Sequence, residues 1–68
     1  MDMRFAERFS EVLKVKKINQ KDFAKRIGFS QPTVNCWCTG RYEPNLETLF
    51  KICRELNESA DYLLGLTN

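Results

Sequence analysis

Histidine is absent from this 68-residue chain, and it has only two prolines, three glycines and three cysteines. Without histidine, and with no recognisable pairing of nucleophile and base, the usual catalytic constellations are missing, as is a glycine-rich loop able to cradle phosphate. An enzyme is therefore not expected. Cys36, Cys38 and Cys53 form an odd set in a chain with no export signal, so neither a disulfide framework nor a zinc site is favoured. On a helix, Cys36 and Cys38 point about 160° away from each other, which suits no shared metal ion. Free thiols, no metal and no cofactor are the expectation. No apolar run approaches the roughly 18 residues that a membrane span requires. The opening MDMRFAERF also lacks a basic segment followed by an apolar stretch and a small-residue cleavage site, which points to a cytoplasmic protein.

Charge of one sign is scarce as well: 11 Lys and Arg oppose 9 Asp and Glu, for a net charge of +2. Distribution is more informative. Lys14, Lys16, Lys17, Lys21, Lys25, Arg26 and Arg41 face a single acid, Asp22, between positions 14 and 41, while the other acids lie outside that stretch. An ordinary solvated face is the plain reading of such a cluster; a one-sided surface for a polyanion is the functional one.

What is present is an apolar fraction of 43%, enough for one small core, with no linker, repeat or low-complexity tract. A single domain over residues 1–68 is expected. Phe5, Phe9, Val12 and Leu13 repeat at helical spacing, giving a first helix over Arg4 to Lys16. Asn19 is a good N-cap with Asp22 at N3 and Ile18 able to staple onto Phe23, so a second helix starts at Gln20 and stops at Gly28. Ser30 repeats the start signal, with Pro32 in the first turn and Phe29 stapled to Val34; this third helix ends at Gly40. Asn45 opens a fourth helix carrying Leu46, Leu49, Phe50, Cys53 and Leu56, Asn57 stops it, and Ser59 caps a last short helix with Tyr62, Leu63 and Leu64. Five helices and no strand define an all-α chain.

The segment NQKDFAKRIGFSQPTVNCWCTG, from Asn19 to Gly40, joins two short helices through a turn at Gly28. Phe23, Ala24, Ile27, Phe29, Val34 and Trp37 occupy positions that face inward when two helices cross steeply, with Ala24 small enough for close approach. Trp37 reads as core rather than as a platform for stacked bases.

On Gln20, Ala24, Gly28, Ser30, Val34, Trp37 and Gly40, followed by Pro44, Leu46, Leu49, Leu56 and Asp61 to Gly65, the chain resembles the lambda repressor and Cro (XRE-type) helix-turn-helix family. The resemblance covers nearly the whole sequence and implies a compact five-helix domain, with the helix-turn-helix at 20–39, that binds double-stranded operator DNA as a homodimer. It places base reading at Gln31, Pro32, Thr33 and Cys36, with Asn35 close by, and has Gln20 and Gln31 brace each other. Chemistry supports Gln31 on adenine and a hydroxyl or methyl contact from Thr33, whereas Pro32 and Cys36 are limited to apolar contact. Cys36 reads equally well as a passive surface residue. Backbone phosphates fall to Asn19, Gln20, Lys25, Thr39, Arg41, Tyr42 and the first N–H groups of the second helix.

Many relatives pair an Arg in the first helix with a Glu just after the Trp. Here those positions are Leu13 and Cys38, and losing both partners together strands no charge. The two are expected to touch in the core. Tyr62, Leu63, Leu64 and Leu66 are too apolar for a frayed tail; Leu63 is expected inward and Tyr62 and Leu66 at a dimer interface. The competing function is a protein-interaction module, antitoxin-like or adaptor, which an apolar, acidic third helix would have favoured. No small-molecule site is evident.

Overall fold

The computed structural model describes residues 3–67 and places five helices in them: α1 Phe5–Val15, α2 Gln20–Ile27, α3 Gln31–Thr39, α4 Leu46–Leu56 and α5 Ala60–Leu64. Among the described residues there is no strand. The all-α, five-helix expectation holds, with α1 one residue shorter at each end than its apolar pattern suggested.

Side chains set most of the helix starts. Asn19, Ser30, Asn45 and Ser59 each accept a hydrogen bond from the backbone N–H three residues on, satisfying one of the first-turn donors that have no partner within the helix. Helix α1 begins differently. Arg4 makes no side-chain cap; its backbone N–H instead donates to the Leu64 carbonyl at 3.3 Å, so the start of α1 is tied to the end of α5. Gly28 and Asn57 stop α2 and α4 in the left-handed conformation, at φ 79° and 54°.

The core gathers around Phe9, which is fully buried. Its ring stacks on Phe5 at 5.2 Å and meets Phe23 and Trp37 edge-on at 5.3 and 6.2 Å, so α1, α2 and α3 share one aromatic cluster. Each such ring removed from water contributes roughly 1.5–3 kcal/mol, and the edge-on geometry suits the ring quadrupoles. Val12, Leu13, Ala24, Val34 and Leu63 join the same cluster, with Leu49, Ile52 and Leu56 from α4. Ile27 and Phe29 are only half-buried at its margin, with Phe29 edge-on to Trp37 at 5.1 Å.

Helix α4 departs from the expected stripe. Its inward residues are Thr48, Leu49, Ile52 and Leu56, while Cys53 is half-buried and Leu46 and Phe50 are 85% and 59% exposed. Both sets fit helical spacing. The positions of α2 and α5, against which α4 packs, select the first. Leu13 is buried and Cys38 is half-buried against the cluster that contains Leu13, so Cys38 lies at the rim of the core rather than inside it.

Arg8 closes the fold from the far end. Its guanidinium donates to the carbonyls of Tyr62 at 3.1 Å and Thr67 at 2.8 Å, and lies 4.4 Å from the centre of the Tyr62 ring. No local sequence pattern reports a contact across more than fifty residues.

Candidate nucleic-acid interface

Helices α2 and α3 pack directly against each other. Between them, Gly28 donates its N–H to the Ala24 carbonyl at 2.9 Å, and Phe29 donates to the same carbonyl at 2.9 Å. This double anchor fixes the turn. It sets the start of α3 outward while Val34 and Trp37 hold the opposite side of that helix in the core.

At the outward start, Gln31, Pro32 and Asn35 are exposed, and Thr33 and Cys36 are half-buried. Ser30 Oγ accepts from the Thr33 N–H at 3.3 Å, and the two hydroxyls are 2.9 Å apart. The Thr33 hydroxyl is therefore already paired, leaving its methyl and either two lone pairs, or one lone pair and the proton, for any outside contact. Among the described residues nothing hydrogen-bonds the Gln31 amide, whose two donors and acceptor are the set that matches an adenine edge.

The loop after α3 is bound to the same helix. The Cys36 carbonyl accepts from the backbone N–H groups of Arg41 at 3.0 Å and Tyr42 at 3.3 Å, and from the Thr39 hydroxyl at 3.3 Å. Arg41 and Tyr42 are exposed but their backbone is held against α3, so their side chains start from a fixed base. On the other flank, Asn19 and Lys25 are exposed and Gln20 is half-buried. Asn19 Oδ1 accepts from the Asp22 N–H at 2.8 Å, while the earlier N–H groups of α2 have no partner within the helix.

Gln20 comes near enough to the Cys38 thiol to act on its acidity. Burial pushes the Cys38 thiol above its ordinary range, and the polar side chains of Ser10 and Gln20 beside it partly oppose that rise. Among the described residues no hydrogen bond joins Gln20 to Gln31. Ser10, which sequence reasoning did not single out, also donates from its hydroxyl to the Cys38 carbonyl at 3.1 Å and so ties α1 to the last turn of α3. A serine on the solvent side of an amphipathic pattern carries no signal of that bond.

At the remaining site, Tyr62 is half-buried with its ring face covered by Arg8, and Leu66 is 61% exposed. Among the described residues no group of three His, Cys, Asp or Glu is placed to hold a metal ion, and no helix is long and apolar enough to cross a membrane.

A family model described as helix-turn-helix matches residues 9–63, which include both α2 and α3. The chain belongs to the helix-turn-helix family. An uncharacterised HTH-type transcriptional regulator of Bacillus subtilis, YqaE, is 35% identical over 60 residues, covering 88% of this chain and 52% of that protein. This helix-turn-helix chain thus spans about half the length of the curated relative that it matches. A crystal structure of a transcriptional regulator from Listeria innocua superposes with a TM-score of 0.90 at 24% identity, over 100% of this chain and 64% of the other. That likeness establishes a shared fold.

Proposed function

We propose that this chain is a single DNA-binding domain of a cytoplasmic transcriptional repressor, which reads a near-palindromic operator through the major groove as a homodimer. It binds without a catalytic step. The observation that carries this reading is the start of α3, where Gln31, Pro32 and Asn35 stand exposed on a helix whose other side is locked into the core. Gln31 reads adenine, the Thr33 methyl and Pro32 meet apolar base edges, Asn35 adds a polar contact, and Cys36 lies against the groove wall. Asn19, Gln20, Lys25, Thr39, Arg41 and Tyr42 hold phosphates on either side.

Leu66, exposed, and the free edge of Tyr62 supply the contact between the two copies, which sets the recognition helices about 34 Å apart, one helical turn of DNA. Few groups reach the bases, so the operator is read partly through DNA shape.

Selection of bound sequences from random DNA, followed by salt titration of the winner, tests the proposal. A regulator of this kind yields a recurring half-site and an affinity that falls steeply with salt. Equal, weak binding to all sequences would instead point to a protein-interaction module.

A further inference from the structure

The outer face of α4 carries none of the residues assigned to the nucleic-acid interface, yet it exposes the large apolar side chains Leu46 and Phe50. Around Phe50 the charges are ordered. Glu47 lies on its N-terminal side and Arg54 on its C-terminal side, with the Arg54 guanidinium 5.6 Å from the centre of the Phe50 ring. Glu47 reaches only Lys51, at 3.7 Å, within its own helix, and its side chain is 81% exposed.

Glu47 and Arg54 are seven residues apart, about 10.5 Å along the helix axis but only about 20° around it. They therefore share one side of the face, with Phe50 at the level between them. A two-fold axis crossing α4 at right angles beside Phe50 keeps the side and reverses the direction. It brings Glu47 of one copy opposite Arg54 of another, and Arg54 opposite Glu47, while the two Phe50 rings cover each other. An acid, an apolar centre and a base in this order are complementary to themselves in the antiparallel sense, with Lys51 and the Arg26–Glu55 pair beside them engaged in ion pairs within one copy; side by side in parallel, Glu47 would meet Glu47.

We propose that the outer face of α4 is a docking surface for a second copy of this chain, packed antiparallel through Phe50 with two Glu47–Arg54 ion pairs. The contact is separate from the one assigned to Leu66. An 11-residue helix is about 16 Å long, too short to bury the roughly 800 Å² per partner of a standard interface. The contact is accordingly weak in free solution and counts when copies are already held close together, where effective concentration is high. Two distinct two-fold faces on one chain link pairs to neighbouring pairs.

The test is self-association by sedimentation over a concentration series reaching the millimolar range, in a Leu66→Glu background that disables the other contact. Glu47 and Arg54 are both exposed, so the substitutions leave the fold intact, as circular dichroism would verify. Glu47→Arg and Arg54→Glu are each expected to weaken association on the order of tenfold, because the symmetry doubles every change and turns attraction into repulsion. The double variant Glu47→Arg, Arg54→Glu is expected to regain it. A monomer at every concentration, indifference to the single reversals, or no recovery in the double variant would each overturn the proposal. The measurement needs no DNA. Half-site binding recorded in parallel reports on the proposed function alone, so failure of one claim leaves the other standing.

Discussion

The hydroxyls of Ser30 and Thr33 lie 2.9 Å apart across the first turn of α3, and Ser30 Oγ also accepts the Thr33 N–H at 3.3 Å. One residue thus both starts the helix and holds the side chain that stands beside Gln31.

Removing it separates these effects. Ser30→Ala is expected to lower stability by about 1 kcal/mol, as loss of an N-cap usually does, and urea denaturation measures it. Ser30→Asp, which can still cap, is expected to restore most of the loss. Equal stability of the alanine variant and the parent would show that the cap contributes nothing.

Trp37 is the sole tryptophan and only 3% exposed, edge-on to both Phe9 and Phe29. Its emission should lie at the short wavelengths of a buried indole and stay nearly constant when DNA is added. Trp37→Ala should cost about 3–5 kcal/mol, a large share of the roughly 5–15 kcal/mol that holds a domain together. Strong quenching of native Trp37 by DNA would place it on the binding surface instead of in the core.

The thiols give a pH dependence of known sign. Burial raises the Cys38 thiol above its ordinary range, against the pull of Ser10 and Gln20, and burial together with the nearby Glu58 carboxylate raises Cys53. The folded state holds these protons longer than the unfolded chain does. The stability they contribute is therefore complete below the unfolded thiol range and is lost as pH rises through the raised folded values. The urea midpoint should fall as pH rises past the ordinary thiol range, and fall less steeply in Cys38→Ala. Identical slopes for the two proteins would remove Cys38 from the account.

Much of this was written in local sequence. Asn19, Ser30, Asn45 and Ser59 act as caps because capping needs only a short polar side chain and the amide three residues on, both of which a sequence displays. The stripe of α1 was equally plain, since Phe5, Phe9, Val12 and Leu13 offer one apolar face and no rival. Helix α4 offered two, and Ile52 rather than Phe50 turned inward for reasons that reside in α2 and α5. The Arg8 contacts with Tyr62 and Thr67, and the Ser10 bond to Cys38, depend on how distant segments meet. So does the covering of the Tyr62 ring, which leaves Leu66 as the freer of the two residues expected at a dimer contact. For the interface itself, the sequence pattern located Gln31 and Thr33, but only packing shows that the Thr33 hydroxyl is already engaged.

That difference makes Gln31 the decisive residue. The most direct measurement compares parent and Gln31→Ala protein on the selected half-site and on each of its single-base variants, at fixed salt. Gln31→Ala is expected to lose about 1–3 kcal/mol on the selected half-site and to stop discriminating at one base pair, with the other positions still read as before. A uniform loss across all the variants, or no loss at all, would contradict it.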